Sequence, residues 1–462
     1  MRTWNWSEIR RKGGRLLAWV VGVAVVSWGA HAIWVWYLNR PPHYSFYVPP
    51  VPSPNALDDF HRAAEAITGR KALGVVIPDW RRHALVRSEK SLWDLRNTPL
   101  PQDRVPRAAL TSFLQHNTRA LQLIREGFTH PYALPVAENE SYQQFTDHNR
   151  QYAAWHQSCQ ELLEIRALYC LQGNSPRVIA EALVDFMHCQ MLCSPGCRLP
   201  LETGMVELRP LAARLSIADS RAISVRLAGF CRSRRSYAEA TESERTQYLN
   251  YLTAAFRDGF GSDWVTNRWK LGTECVEPSP TQDRGAVLGL LYAYTVSNAR
   301  VPALADRYLT SCITAAHQPC SSHLSFPTPP TDPINYSVFG WDEREKDRVA
   351  WALQAFKDDA LLLTFILEGY RKAHGAYPTT LQQLIADGWL STLPVDAFTL
   401  KDTICYRRTG VGYILYSRGP DGKDDGGKAI CGPCNLVGPD SKRDVVFGFN
   451  TEAESNSNSG RL

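Results

Sequence analysis

Hydrophobic and polar positions follow three rhythms along this chain. From Leu16 to Leu38 there is no alternation: twenty-three residues run without an acid or base except His31. At about 1.5 Å per helical residue, such a segment crosses the roughly 30 Å hydrocarbon core of a bilayer. From Asn55 to Ala316 apolar residues return every three or four positions, the period of helices with one buried face. Leu57, Phe60, Ala64 and Ile67 make one such stripe. Asn55 is placed to cap it, and Asp58 and Asp59 sit where exposed helical amides favour negative charge. Leu110, Phe113, Leu114, Leu121 and Ile124 make a second stripe, and Tyr152, Trp155, Cys159, Leu162 and Leu163 a third. Breaks such as Gly173-Asn174-Ser175-Pro176 and Ser194-Pro195-Gly196 separate the helices. No fixed period recurs among them, which points to an irregular helical domain rather than a solenoid. A longer stripe of Val349, Leu353, Phe356, Ala360, Leu363, Leu367 and Tyr370 predicts a helix from about Asp342 to Ala373. His374-Gly375 ends it and Pro378 forbids its continuation. The last rhythm is shorter: a small helix over Thr380–Asp387, then strands over Thr403–Arg408, Gly412–Ser417 and Asp444–Phe449.

These rhythms divide the chain into a basic cytoplasmic flank (1–15), a transmembrane helix (16–38), a proline-rich linker (39–54), a helical domain (55–316), a second linker (317–341), an α+β domain (342–449) and a polar, disordered tail (450–462). The fold class is mainly α with a C-terminal α+β domain, in which a long helix lies on a small antiparallel sheet. The six prolines of Arg40–Pro54 predict an extended spacer lifting the next domain off the bilayer.

Charge refines this picture at one end. Arg2, Arg10, Arg11, Lys12 and Arg15 against Glu8 supply four of the five net positive charges. The basic balance therefore belongs to the membrane flank, and no nucleic-acid footprint remains. Basic residues before an apolar span put the N-terminus in the cytoplasm and the bulk outside, the topology of a single-pass protein of the bacterial inner membrane. Ala30-His31-Ala32 fits a signal-peptidase site. The apolar run continues past it, so an uncleaved signal anchor is expected.

The C-terminal residues carry a family resemblance. Gly375-Ala376-Tyr377-Pro378-Thr379 follows the long helix, and Leu381–Leu384 makes a leucine-containing short helix. Leu393-Pro394-Val395-Asp396 steps toward Tyr413-Ile414-Leu415-Tyr416-Ser417, which runs into Gly419-Pro420-Asp421-Gly422. In order and spacing these elements resemble the soluble domain of the type II secretion major pseudopilin, over about a fifth of the chain. Two features depart from that family. Trp19 stands where a pseudopilin carries the glutamate that guides filament assembly, and the membrane span lies far from the pseudopilin-like domain rather than fused to it. The chain thus looks like a carrier of such a domain, not a filament subunit.

Asp421, Asp424 and Asp425 cluster where glycines let the backbone turn tightly. On their own these residues read either as a solvated turn or as a site for a hard cation. The resemblance implies calcium. It places Asp444 as the later acidic ligand, with Ser417 and the carbonyls of Leu415 and Arg418 completing the shell. An EF-hand is excluded, because Lys423 and Gly432 occupy its third and twelfth positions.

Twelve cysteines in a chain expected outside the cytoplasm favour disulfides. Cys431-Gly432-Pro433-Cys434 has thioredoxin-like spacing without the strand and helix that a redox site needs, so a structural bridge, internal or to Cys405, is expected. Cys189, Cys193 and Cys197 share a helical spacing broken by Pro195-Gly196. Cys159 and Cys170 are too far apart on one helix to pair. The chain contains no His-Glu-x-x-His, no P-loop, no Gly-x-Ser-x-Gly and no dinucleotide fingerprint. His83, His116, His148, His156 and His188 lie in or near predicted helices and read as satisfied interfacial histidines. The aromatic stretch Trp264–Trp269 reads as core and rim. The expectation is a membrane-anchored bacterial envelope protein that serves as a scaffold or binding protein, with protein partners in the envelope, rather than as an enzyme. The alternatives are an envelope enzyme with its site in the helical domain and an accessory of a secretion or pilus-like machine.

Overall fold

The computed structural model describes residues 6–40, 44–69, 107–137, 140–193, 199–257, 300–321, 327, 344–410, 412–430 and 437–449. The described helices are α1 (Trp6–Asn39), α2 (Ala56–Ala66), α3 (Arg107–His116), α4 (Thr118–Gly127), α5 (Tyr142–Leu171), α6 (Pro176–Cys193), α7 (Leu199–Ala212), α8 (Ile217–Ser233), α9 (Tyr237–Arg257), α10 (Val301–Ala316), α11 (Arg344–His374) and α12 (Gln382–Ala386). The strands are β1 (Cys405–Thr409), β2 (Gly412–Ser417) and β3 (Val445–Phe449). The structure is mostly helical, with one small antiparallel sheet near the C-terminus.

Local chemistry fixes several helix ends. Asn55 Oδ1 accepts from the Leu57 amide at 3.3 Å and starts α2. Ser141 and Gln144 form a reciprocal capping box at α5, with bonds of 3.1 and 2.9 Å. Ser216 accepts from the Asp219 amide at 3.1 Å and starts α8. Arg371, Lys372 and His374 crowd the last turn of α11, where cations suit the carbonyl end, and Gly375 follows at φ 79°.

Two large apolar clusters organise the fold. The first joins α2, α3, α4, the body of α5 and the end of α6 through Phe60, Phe113, Ile124, Leu163 and Cys189. The second does not stop at 317–341, where the pattern predicts a linker between domains. It runs from Met187 of α6, Leu208 of α7 and Phe230 of α8 through Phe356, Phe365 and Leu367 of α11 to Leu415 of β2. Accordingly α11 touches α7 and α8 as well as β2 and β3. From Asp358 to Tyr370 every residue of α11 is buried. A helix that is apolar all round belongs inside, and the run from Ala360 to Leu367 has only Thr364 as a polar member. The buried Phe356, Phe365 and Leu367 contribute about 2–3 kcal/mol each. Packing around α11 is close: a Cβ on Gly369 would meet the Trp389 ring at 2.6 Å and the Ser220 side chain at 3.0 Å.

The sheet order is β1-β2-β3, antiparallel throughout. Tyr406 pairs with Leu415, and Leu415 with Gly448, with a register shift between Leu415 and Tyr416. The central strand β2 is buried at all six positions, so it shows no alternation of inward and outward faces.

Trp19–Leu38 within α1 is long and apolar enough to cross a membrane. Trp19, Trp28 and Trp36 are among its exposed rings. Residues 44–52, which the prolines predict to be an extended spacer, form no helix or strand, and they are docked rather than free. Burial alternates from Tyr44 to Tyr47, with Tyr44 and Phe46 turned inward. Both pack against Leu249 and Leu252 of α9 and Val301 and Ala305 of α10. The Tyr44 hydroxyl donates to Asp306, which also pairs with Arg245.

Candidate functional site

The acidic loop between β2 and β3 is held by two carboxylates, and they do different things. Asp444 is fully buried. It accepts from the amide of Gly427 at 2.6 Å and from that of Asp425 at 3.3 Å, so it staples the loop to the start of β3. Burial, reinforced by the nearby charges of Asp424 and Asp425, pushes its carboxyl above the usual range. Asp396, also fully buried, forms a second knot. The Ser417 hydroxyl lies 2.8 Å from both of its oxygens, and the amides of Phe398 and Arg418 donate to it at 3.0 and 3.2 Å. Ser417 Oγ in turn accepts from the Gly419 amide at 3.0 Å. Gly419 adopts φ +69°, and a Cβ there would meet the Arg443 carbonyl oxygen at 2.7 Å. Only glycine fits this turn.

The residues expected to share one calcium shell are therefore distributed. The Asp425 backbone amide donates a hydrogen bond to the Asp444 carboxylate, and Asp424 accepts from the Tyr416 hydroxyl at 3.1 Å and the Gly426 amide at 2.9 Å. Asp421 closes only a local turn onto the Lys423 amide, at 3.1 Å. Ser417 is committed to Asp396, and Leu415 lies in the central strand between two partners. Among the described residues no three acidic, histidine or cysteine side chains converge as a metal group. In this structure Asp421, Ser417 and Leu415 have partners of their own, so the six residues Asp421, Asp424, Asp425, Asp444, Ser417 and Leu415 are not gathered about one point, and hydrogen bonds from backbone amides to Asp444 hold the loop. The sequence reading gave Asp396 no role, although its position in Leu393-Pro394-Val395-Asp396 marked the step it pins.

A buried charge cluster ties α8 to α11. Arg234 donates to Asp359 at 2.9 Å, to the Ala355 carbonyl at 3.1 Å and to Asp358 at 3.4 Å. Gln354 donates to the other oxygen of Asp358 at 2.9 Å. Burial pushes the Asp358 carboxyl up to about 7, against the opposing pull of Arg234 and Gln354. Burial also drives the Cys231 thiol well above its ordinary range.

A second ionic cluster joins four helices. Arg125 of α4, Arg166 of α5 and Arg226 of α8 all pair with Asp185 of α6, Arg125 at 2.9 Å. Asp185 is buried, which would raise its carboxyl, yet Arg226, Arg125 and Arg166 hold it below the usual range. One turn further along three of these helices lies an aromatic layer. The His188 ring stacks on Phe128 at 4.3 Å and meets Phe230 edge-on at 5.7 Å. Burial lowers His188 to about 4, so it is neutral near pH 7, and its Nε2 lies 2.6 Å from the Ser233 hydroxyl. His156 is likewise buried and lowered to about 4, with the Tyr132 hydroxyl 3.0 Å from its Nε2. His148 pairs with Glu140, and His116 Nδ1 lies 2.6 Å from the Ser112 carbonyl. Of the histidines singled out in the sequence, the four among the described residues, His116, His148, His156 and His188, each have a partner. His83 and Trp264–Trp269 lie outside the described residues.

No disulfide joins two described cysteines. Cys159, Cys170 and Cys189 are buried in the helical cores, while Cys197, Cys431 and Cys434 lie outside the described residues, as does the tail 450–462. Compared with known proteins, the chain matches no family model, no curated protein and no solved structure.

Proposed function

We propose that this chain is a single-pass, membrane-anchored protein of the bacterial envelope whose folded part acts as a rigid binding platform rather than as an enzyme. The observation carrying this reading is the join between the two parts. An apolar span with exposed rings leads within a few residues into Tyr44 and Phe46, which are built into the α9–α10 surface. A tether that served only to reach would leave those residues solvated. The shared core around α11 supports the second half of the proposal, because it welds the pseudopilin-like strands to the helical bundle. In this reading the N-terminal flank is cytoplasmic, and the strand unit is a fixed face of the platform for partners in the envelope.

The test is extraction and protease protection in a bacterial host. The full chain should stay in the membrane pellet after alkaline carbonate washing. Protease added outside the inner membrane should digest the part beyond residue 40 and spare a tag placed before Arg2. Release by carbonate, or digestion of that tag, refutes the anchored topology.

A further inference from the structure

The ionic layer around Asp185 is unbalanced. Three guanidiniums face one carboxylate, an excess of two positive charges within the cluster itself. The neutral His188 adds nothing to it. Arg177 lies outside the cluster and pairs instead with Glu181 and Asp219.

The donors are also in surplus. A guanidinium carries a planar fork of N–H groups suited to oxyanions. Among the described residues, each of these three arginines makes one side-chain hydrogen bond, and in each case to Asp185. Arg166 is mostly covered at 13% exposure, whereas Arg125 and Arg226 are open to solvent at 40% and 33%. Beneath them the Phe128–His188–Phe230 layer provides an apolar floor that excludes water from one side. Charges over such a floor are screened less than charges on an open surface. Asp185 holds the three forks together against their mutual repulsion without neutralising them.

We propose that Arg125, Arg166 and Arg226, gathered by Asp185, form a binding site for a small, doubly charged oxyanion of the phosphate class. Such a ligand matches the excess charge and takes the free N–H forks bidentately. The same chemistry is offered by soluble phosphate and by a phosphomonoester lipid headgroup, and the experiment separates them.

The full-length protein in neutral detergent is titrated by calorimetry with inorganic phosphate, and in a parallel arm with phosphatidic acid in mixed micelles, using phosphatidylcholine micelles and chloride at matched ionic strength as controls. Saturable binding of phosphate in the first arm supports a soluble ligand. Binding of phosphatidic acid alone supports the headgroup. In either case Arg125→Gln and Arg226→Gln should each weaken binding about tenfold or more, the worth of one charge-assisted hydrogen bond. Arg177→Gln, outside the cluster, should leave binding unchanged. Stabilisation of the wild-type melting transition by the ligand over the chloride control gives a second readout that needs no variant. Absence of binding in both arms at millimolar ligand overturns the proposal, as does affinity that is equal in folded Arg125→Gln and Arg226→Gln proteins.

Discussion

The carboxyl of Asp358 makes stability depend on pH in a direction opposite to that of an acid held ionised by arginines, such as Asp185. Its folded value of about 7 lies above the ordinary 3.8, with burial as the main cause. Between these values the folded protein keeps a proton that the unfolded chain releases, so stability falls as pH rises from about 4 to about 7. At about 1.4 kcal/mol per pH unit, moving the carboxyl this far disfavours its charged form by about 4 kcal/mol. Asp358→Asn removes the titration while keeping an oxygen for the Gln354 amide. The variant should match the wild type within about 1 kcal/mol at pH 5 and exceed it by about 2–3 kcal/mol at pH 8, allowing about 1 kcal/mol for the weakened contact with Arg234. Asp359→Asn should behave differently. It removes the negative charge that faces the buried Arg234 across the 2.9 Å bond and should cost about 3 kcal/mol at pH 8. The assay is urea unfolding of the full-length protein in mild detergent at pH 5, 6, 7 and 8, with circular dichroism as the signal. The informative quantity is the difference between Asp358→Asn and wild type at each pH, which cancels every other titrating group. A difference that stays flat from pH 5 to pH 8 refutes the reasoning.

Two further predictions concern packing and the acidic loop. Gly369→Ala should lower stability by about 1–3 kcal/mol, because the new methyl group drives the Trp389 ring off α11; tryptophan fluorescence and urea midpoints report both effects. Asp444→Ala strips the acceptor from the Asp425 and Gly427 amides and should cost about 1–3 kcal/mol, and the wild-type melting temperature should be the same in EDTA as in millimolar calcium. A rise of several degrees with calcium would show that an ion, not the carboxylate–amide staple, closes the loop.

Elements whose cause is local were legible in the sequence. Gly412–Ser417 is a strand with those same limits, and α11 ends at His374, where glycine and proline stop it. The apolar span needed only a count of residues. Features that depend on which helix faces which were not legible. Asp358 and Asp359 look like an interruption of a helix, because Arg234 is more than a hundred residues upstream. Arg125, Arg166, Asp185 and Arg226 are spread over four helices and read singly as ordinary solvated charges. Periodicity identifies a buried face without identifying its neighbour, so a pattern of helix, proline-rich stretch and helix suggested two cores where one core continues. The prolines before Pro54 likewise argued against helix there but carried no information about the surface that receives Tyr44 and Phe46.

In the proposed anchored topology, that docked segment would limit how the folded part moves over a bilayer. From Asn39 at the end of α1 to Tyr44 the chain can reach at most about 18 Å, at up to about 3.6 Å per residue. Asp306, bonded to Tyr44, therefore travels on a short leash. In that topology the folded part would pivot close to the lipid on its α9–α10 side instead of sampling a hemisphere at the end of a long arm, and its encounters with other membrane proteins would become a search in two dimensions at nearly constant height. Lengthening the segment between Asn39 and Tyr44 would raise that height while leaving every contact within the fold in place.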